Sequence, residues 1–147
     1  MGVDAVAVAV VEVLGGRKTL EKRVRTTAEL AQAVEAGLPR ASLDLVVRRA
    51  VGEGRQAMEL KHMIVPKATL QRRVVRLSLE ESQRLERLAR LTALAERVWE
   101  TDDQAREFMV SRQPQLGDER PIDLVRSESG ARQVEDLLWS LEYALPV

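Results

Sequence analysis

The sequence predicts an all-α fold from its composition, its apolar periodicity and its helix-capping patterns. Aromatic residues make up 3% of the 147 residues, while Leu, Ala, Val, Glu and Arg dominate, which favours helices over a β-sandwich or barrel. The hydrophobic fraction of 45% is enough for a core, and the length fits one ordinary domain or two very small ones. The absence of Cys excludes disulfides, thiolate metal sites and cysteine nucleophiles.

Helix signals follow one another closely in the first half of the chain. The apolar segment 6–14 is rich in β-branched residues, which leaves strand or helix open, and we favour helix. Residues 26–29 have the Thr-x-x-Glu pattern of a capping box, and the helix that follows should end at Gly37. The spacing of apolar residues predicts two further helices, over 41–51 and 58–64.

A basic turn is predicted next. Residues 65–68 break the preceding helix, and a second short helix should run from Thr69 to Arg76, with Leu70 and Val74 facing the core. In a helix-turn-helix the second helix lies in the major groove and projects long polar side chains. The candidate DNA-binding residues are Lys67, Thr69, Gln71, Arg72, Arg73 and Arg76. Spacing alone leaves open an alternative, a basic solvated helix in a helical bundle.

The second half contains the strongest periodicity. A second capping box at residues 78–81 opens the longest helix, and residues 101–104 cap another with acids in its first turn. Pro121 suits the first position of a short helical turn. Ser127 or Ser129 should cap the last helix.

The formal net charge of zero is the sum of a basic half and an acidic half of the chain. Residues 17–90 hold 17 Lys and Arg against 9 Asp and Glu, whereas residues 91–147 hold 6 against 12. A basic half is the expected footprint of contact with a polyanion such as nucleic acid. The alternative is a solvated surface with uneven charges.

Residue patterns for catalysis are weak. His62 is the one histidine, and Asp102 and Asp103 fit helix capping better than metal binding. Residues 15–19 resemble the end of a phosphate-binding loop, but Arg17 stands where that loop requires Gly. We therefore expect no enzyme activity, no catalytic residue, no metal and no cofactor.

The long apolar run at residues 5–14 does not indicate a membrane segment. Glu12 interrupts the run and Asp4, rather than a basic residue, precedes it, so neither a signal peptide nor a membrane span is expected. With the lack of Cys, this favours a cytoplasmic protein without membrane contact.

A series of short motifs resembles a known family, the Xre/MbcA/ParS antitoxins, which are partners of RES-domain toxins in bacterial toxin-antitoxin operons. The resemblance spans most of the chain and rests on the order of the motifs. They are Gly37-Leu38-Pro39, Thr69 to Arg73, Leu79 to Leu85, Leu88 to Leu91, Ala105 to Met109, Leu116-Gly117, Pro121 to Leu124, Ser129 to Ala131 and Val134 to Leu138.

The resemblance implies an all-α antitoxin in two parts. Residues 1–78 would form a helix-turn-helix-like region that binds operator DNA and represses the protein's own operon, as a homodimer. Residues 79–147 would form a small helical toxin-binding domain that occludes the active site of a cognate RES-domain toxin, which consumes NAD or uses it for ADP-ribosylation. The acidic half would suit a basic nucleotide pocket in that toxin.

The C-terminal tail offers candidate toxin-binding residues. They are Trp139, Glu142, Tyr143, Leu145, Pro146 and Val147, which combine aromatic anchors, apolar residues and negative charge. Trp139 and Tyr143 lie four apart and off the apolar stripe of the last helix, which favours an interface over the alternative, membership of the domain's own core.

Two rival functions remain at this point. One is a stand-alone helix-turn-helix transcription regulator with a C-terminal dimerisation domain and no toxin partner, and a neighbouring reading frame for a RES domain would argue against it. The other is a small carboxylate-dependent hydrolase, which needs an acid/base or metal cluster that the sequence does not present.

Overall fold

The computed structural model describes residues 4–72 and 74–143. These residues form ten α-helices and one 3-10 helix and contain no β-strand, which confirms the all-α prediction. None of these helices is both long and apolar enough to cross a membrane. The elements are α1 (Ala5–Val13), α2 (Gly16–Leu20), α3 (Thr27–Ala36), α4 (Arg40–Val51), α5 (Arg55–Ile64), α6 (Lys67–Leu70), α7 (Leu79–Val98), α8 (Asp102–Val110), the 3-10 helix (Pro114–Leu116), α9 (Pro121–Leu124) and α10 (Glu128–Tyr143).

The first apolar segment is helix α1, and Asp4 begins it. One carboxylate oxygen of Asp4 accepts the backbone N–H groups of Val6 at 3.0 Å and Ala7 at 3.2 Å. The other oxygen accepts a hydrogen bond from the Thr27 hydroxyl, and this bond is the main reason why the pKa of Asp4 is lowered. Because a helix N-terminus leaves such N–H groups without partners, the cap favours helix over strand here.

Capping boxes begin α3, α7 and α8, at the patterns found in residues 26–29, 78–81 and 101–104. In α7 the Ser78 hydroxyl accepts the Glu81 N–H at 3.2 Å, while the Glu81 carboxylate accepts the Ser78 N–H at 2.8 Å. Reciprocal bonds of this kind satisfy two orphan donors. They also explain how the carboxylate of Glu81 is tolerated in a residue that is 8% exposed.

Helix α7 is the central element of the fold. It packs against α1, α3 and α4 from the first half of the chain and against α8 and α10 from the second half. Its residues Leu85, Leu88 and Leu91 have no exposed surface. One apolar core therefore runs through both halves. The predicted boundary between residues 78 and 79 falls at the start of this shared helix, and the division into two functional parts stays a prediction.

The helix predicted from Thr69 to Arg76 is much shorter in the structure. Helix α6 covers only Lys67–Leu70, and a turn and an extended stretch follow it. Val74 and Val75 are β-branched residues, which favour extended backbone over a short helix that lacks packing on its outer face. Prediction also placed the start of α5 too late, since this helix begins at Arg55 rather than Met58.

The extended stretch after α6 pairs with the segment between α3 and α4. The Arg40 N–H donates to the Val75 carbonyl at 3.0 Å, and the Leu77 N–H donates to the Leu38 carbonyl at 2.8 Å. Gly37 makes this approach possible: its φ is +95°, and a Cβ at this position would lie 2.7 Å from the Leu77 carbonyl oxygen. The C-cap predicted at Gly37 thus also positions the basic turn.

We expect Gly37→Ala to lower the free energy of unfolding by about 2–3 kcal/mol, because a side chain there is strained and also collides with backbone. The control is Gly117→Ala, whose φ of +66° is left-handed but whose Cβ would meet no atom within 4 Å. That change should cost about 1 kcal/mol. Urea unfolding of both variants makes the comparison, and equal losses would contradict the packing assigned to Gly37.

Candidate functional site

The predicted DNA-binding residues lie on and after α6. Lys67, Gln71 and Arg72 are exposed, whereas Thr69 is half-buried. The turn is compact, because the Gln71 N–H donates to the Lys67 carbonyl at 3.1 Å and the Arg72 N–H donates to the Thr69 carbonyl at 3.2 Å. Three long polar side chains therefore project from one short turn.

Buried residues and one arginine hold this turn on the body of the protein. Leu70 is 7% exposed and anchors α6 in the core, and Ile64 and Val65 before it have no exposed surface. From the other side, the Arg40 guanidinium donates to the Arg72 carbonyl at 3.4 Å. The Arg72 side chain is thus presented from a fixed backbone.

Arg76 does not share a helix face with the other candidates, contrary to the prediction. It lies in the extended stretch, where its guanidinium donates to the Gly37 carbonyl at 3.0 Å. Its charge therefore helps to hold residues 37–40 against residues 75–77. Arg73 lies outside the described residues.

Sequence reasoning missed a row of arginines on α7. Arg84, Arg87 and Arg90 follow one another at intervals of three, which places them on neighbouring positions of the helix surface. Arg84 donates to the Ile64 carbonyl at 3.0 Å, at the end of α5. Arg87 donates to the carbonyls of Val125 at 2.9 Å and Arg126 at 3.0 Å, just before α10. The spacing of three residues is visible in the sequence, and it could have indicated that these arginines share one side of the helix.

Arg90 completes the attachment of α10 to α7. Its guanidinium lies 3.3 Å from Glu128 and 3.6 Å from Glu135, and Glu86 on its own helix lies 3.6 Å away. Burial raises the pKa of Glu86, with Glu128 and Glu135 adding to the rise, while Arg90 and Arg87 oppose it. Arg90 thus lies within 3.6 Å of three carboxylates, two of which belong to α10.

Arg49 on α4 connects the first half of the chain with the second. Its guanidinium makes two hydrogen bonds of 2.8 Å to the Glu96 carboxylate, and Glu12 lies 3.6 Å away. These bonds to Glu96 are the main reason why the pKa of Arg49 is raised. The Arg106 guanidinium on α8 donates to the Arg49 carbonyl at 3.3 Å. A bidentate arginine–carboxylate pair fixes orientation as well as distance.

The end of α10 carries the predicted toxin-binding aromatics. The rings of Trp139 and Tyr143 stack at 5.6 Å, and the Arg97 guanidinium lies 5.4 Å from the Trp139 ring. Arg97 also pairs with Glu142 at 3.3 Å. Trp139 packs partly against the core, whereas Tyr143 is 71% exposed. Trp139 therefore belongs partly to the core, whereas Tyr143 lies on the surface. Leu145, Pro146 and Val147 lie outside the described residues.

The start of α10 also agrees with its predicted cap. The Ser127 hydroxyl accepts the Gly130 N–H at 3.0 Å, which selects Ser127 over Ser129. Gly130 packs so closely that an added Cβ would lie 3.0 Å from this hydroxyl. The helix is thereby fixed at its beginning by Ser127 and by the arginines of α7.

A scan against protein-family models matches residues 94–144 with the family described as antitoxin Xre/MbcA/ParS C-terminal toxin-binding domain. This C-terminal segment, about a third of the chain, is similar to the toxin-binding domain of the Xre/MbcA/ParS antitoxins. The resemblance found in the sequence is therefore confirmed over these residues. A search of curated proteins finds no match.

The matched segment of the Xre/MbcA/ParS domain begins inside α7 and includes α8, the 3-10 helix, α9 and α10. It therefore contains Glu96 and Arg97, the partners of Arg49 and of the α10 aromatics, together with Arg106. In the described residues, no group of three His, Asp or Glu side chains comes together as a metal-binding cluster. The family name implies an antitoxin with a toxin-binding surface.

We expect Arg49→Ala to lower the free energy of unfolding by about 1–3 kcal/mol, because it leaves the mostly buried Glu96 carboxylate without its partner. The neighbouring Arg48 is the control: its pair with Glu53 joins side chains that are 62% and 80% exposed. Arg48→Ala should cost less than about 0.5 kcal/mol. Chemical unfolding measures both, and a similar small loss in the two variants would show that the Arg49–Glu96 pair contributes little.

Proposed function

We propose that this protein is a non-enzymatic, cytoplasmic antitoxin that neutralises a cognate RES-domain toxin by occluding its active site and represses its own operon by binding operator DNA. The observation that carries the proposal is the match of residues 94–144 to an antitoxin toxin-binding domain. No cofactor is required, because both activities are binding reactions. Operator binding by a homodimer would place two basic turns on half-sites about 34 Å apart.

The toxin-binding half is supported by the end of α10. Tyr143 is exposed, and Trp139 is held between the core and the Arg97 guanidinium. Stacked aromatics that are ordered before binding lose little side-chain entropy in an interface. The tail that follows Tyr143 would then enter the nucleotide pocket of the toxin from a rigid helix, with Glu142 and Trp139 at its base.

The charge of the second half supports the same partner. Residues 91–147 carry 12 Asp and Glu against 6 Lys and Arg, and Asp102, Asp103 and Glu107 are exposed on α8. A basic pocket that binds the phosphates of NAD attracts such a surface over a distance of about 10 Å at ordinary ionic strength. Electrostatic steering would raise the association rate and disfavour partners of like charge.

We expect a variant that lacks residues 144–147 and carries Tyr143→Ala to lose neutralisation of the toxin. Trp139 stays in place, so its packing on the core is retained and the variant should fold. Co-expression with the toxin and measurement of growth, together with size-exclusion chromatography of the mixture, tests the loss. Met58→Ala removes another exposed apolar side chain, which is 61% exposed on α5, and should neutralise normally.

Full protection by the truncated variant would show that the tail does not occlude the toxin. Failure of the intact protein to form any complex with a neighbouring RES-domain gene product would instead support the alternative, a stand-alone transcription regulator with a C-terminal dimerisation domain.

The DNA-binding half is supported by the basic turn. Lys67, Gln71 and Arg72 project from a backbone that Leu70 and Arg40 hold in place. Arg and Lys bind phosphates, while Arg and Gln also have the geometry to read guanine and adenine edges. Because α6 is one turn long, few side chains can reach bases, so phosphate contacts should supply most of the affinity.

We expect Arg72→Ala combined with Arg73→Ala to weaken binding to a promoter duplex. The slope of log Kobs against the logarithm of the salt concentration should become shallower by about 2, because two phosphate contacts are lost. Toxin neutralisation should survive. The charge-matched control is Arg126→Ala with Arg132→Ala, which removes two exposed arginines from the acidic half. Gel shifts at several salt concentrations measure the slopes, and equal slopes for the two double variants would exclude the basic turn as the DNA contact.

A further inference from the structure

A second basic surface lies at helix α2 and the loop after it. Residues 17–25, here called the α2 basic segment, contain five Lys and Arg against one Glu. All five of the basic residues are exposed. Nothing in the proposed antitoxin mechanism uses them.

Four cations of this segment differ from six other basic residues of the first half. Within residues 4–72 and 74–143, the ion pairs found do not involve Arg17, Lys18, Lys22 or Arg23. In contrast, Arg48, Arg49, Arg55, Lys61, Arg87 and Arg90 each pair with a carboxylate. A folded protein that leaves four neighbouring cations unpaired keeps their field directed into solvent, where it can attract an anionic partner.

The backbone that carries these cations is fixed on both sides. Leu20 and Val24 are 3% and 5% exposed and anchor α2 and the loop in the core. Glu21 between them has a positive φ of 60°, which ends the helix sharply. The fold therefore sets the backbone positions of the cations. A binding surface needs such fixed positions if it is to present the same charges to every partner molecule.

Helix α2, which begins the α2 basic segment, packs against α4, the helix to which the basic turn is also attached. Just before α2, the Leu14 carbonyl accepts the Ser42 hydroxyl at 2.6 Å. At the start of α4, Arg40 donates its N–H to Val75 at 3.0 Å and its guanidinium to Arg72 at 3.4 Å. Residues two apart on a helix are separated by about 3 Å along its axis. Ser42, which holds Leu14 just before α2, and Arg40, which holds the basic turn, thus lie close together on α4.

We propose that Arg17, Lys18, Lys22 and Arg23 contact the phosphate backbone of the same DNA duplex that the basic turn binds. The contact is independent of base sequence and adds affinity and register to a recognition helix that is one turn long. The proposal rests on the operator binding proposed above. The acidic half of a second copy of this chain is the competing occupant, and DNA is favoured because α2 and the basic turn are both attached to α4.

The test measures binding of the full chain to two duplexes of equal length, one from the promoter of its operon and one of scrambled sequence, over a series of salt concentrations. The variant is K18Q/K22Q/R23Q. The charge-matched control is R112Q/R126Q/R132Q, three exposed arginines of the acidic half. We expect the first variant to lose about tenfold or more in affinity for both duplexes and to flatten the salt slope by about 2–3, while the control changes neither.

Equal binding and equal slopes for K18Q/K22Q/R23Q and the control would overturn the proposal. A wild-type chain that binds both duplexes equally would contradict operator recognition, yet the loss in the variant would still support the phosphate contact. Binding to neither duplex would overturn both. A change in molar mass by light scattering with unchanged duplex binding would assign the segment to a contact between copies and would also overturn the proposal.

Discussion

The burial of α7 is the constraint on which the rest of the structure depends. Helices from both halves of the chain cover this helix, and Leu85, Leu88 and Leu91 are shielded from solvent completely. A long helix covered on so many sides has no independent stability as an exposed element, because most helical stability in proteins comes from tertiary packing. The DNA-binding and toxin-binding parts proposed here therefore share one core, and they are not separate domains joined by a linker.

Arginines on the rim of this core make the attachments specific. Apolar packing is non-directional, whereas the guanidinium of Arg87 donates to two carbonyls just before α10. The pair between Arg49 and Glu96 likewise fixes α4 against α7. Arginine suits these places because its planar fork makes several directed hydrogen bonds and stays charged when partly buried. The position of α10, and with it the exposed Tyr143, follows from these contacts.

Local patterns in the sequence predicted most helices, because capping and apolar periodicity are themselves local. The boxes at residues 26–29 and 78–81 located the starts of α3 and α7. The helix predicted from Thr69 to Arg76 was wrong after Leu70, since the backbone of Val75 and Leu77 forms hydrogen bonds with Arg40 and Leu38, in a distant part of the chain. For the same reason the partners of Arg87 were not predictable, although its spacing from Arg84 and Arg90 was visible. The DNA-binding and toxin-binding assignments remain predictions.

A chain of zero net charge can still present distinct basic and acidic surfaces, because only some of the opposite charges pair across the two halves. Three cations of the basic residues 17–90, namely Arg49, Arg87 and Arg90, are paired with carboxylates of the acidic residues 91–147. These pairs sit near α7, where partial burial strengthens them and screening by salt is weak. The charges that remain exposed include Arg17, Lys18, Lys22 and Arg23 in the basic half and Asp102, Asp103 and Glu107 in the acidic half. Each half therefore keeps an excess of exposed charge of one sign, which can attract a partner of opposite sign.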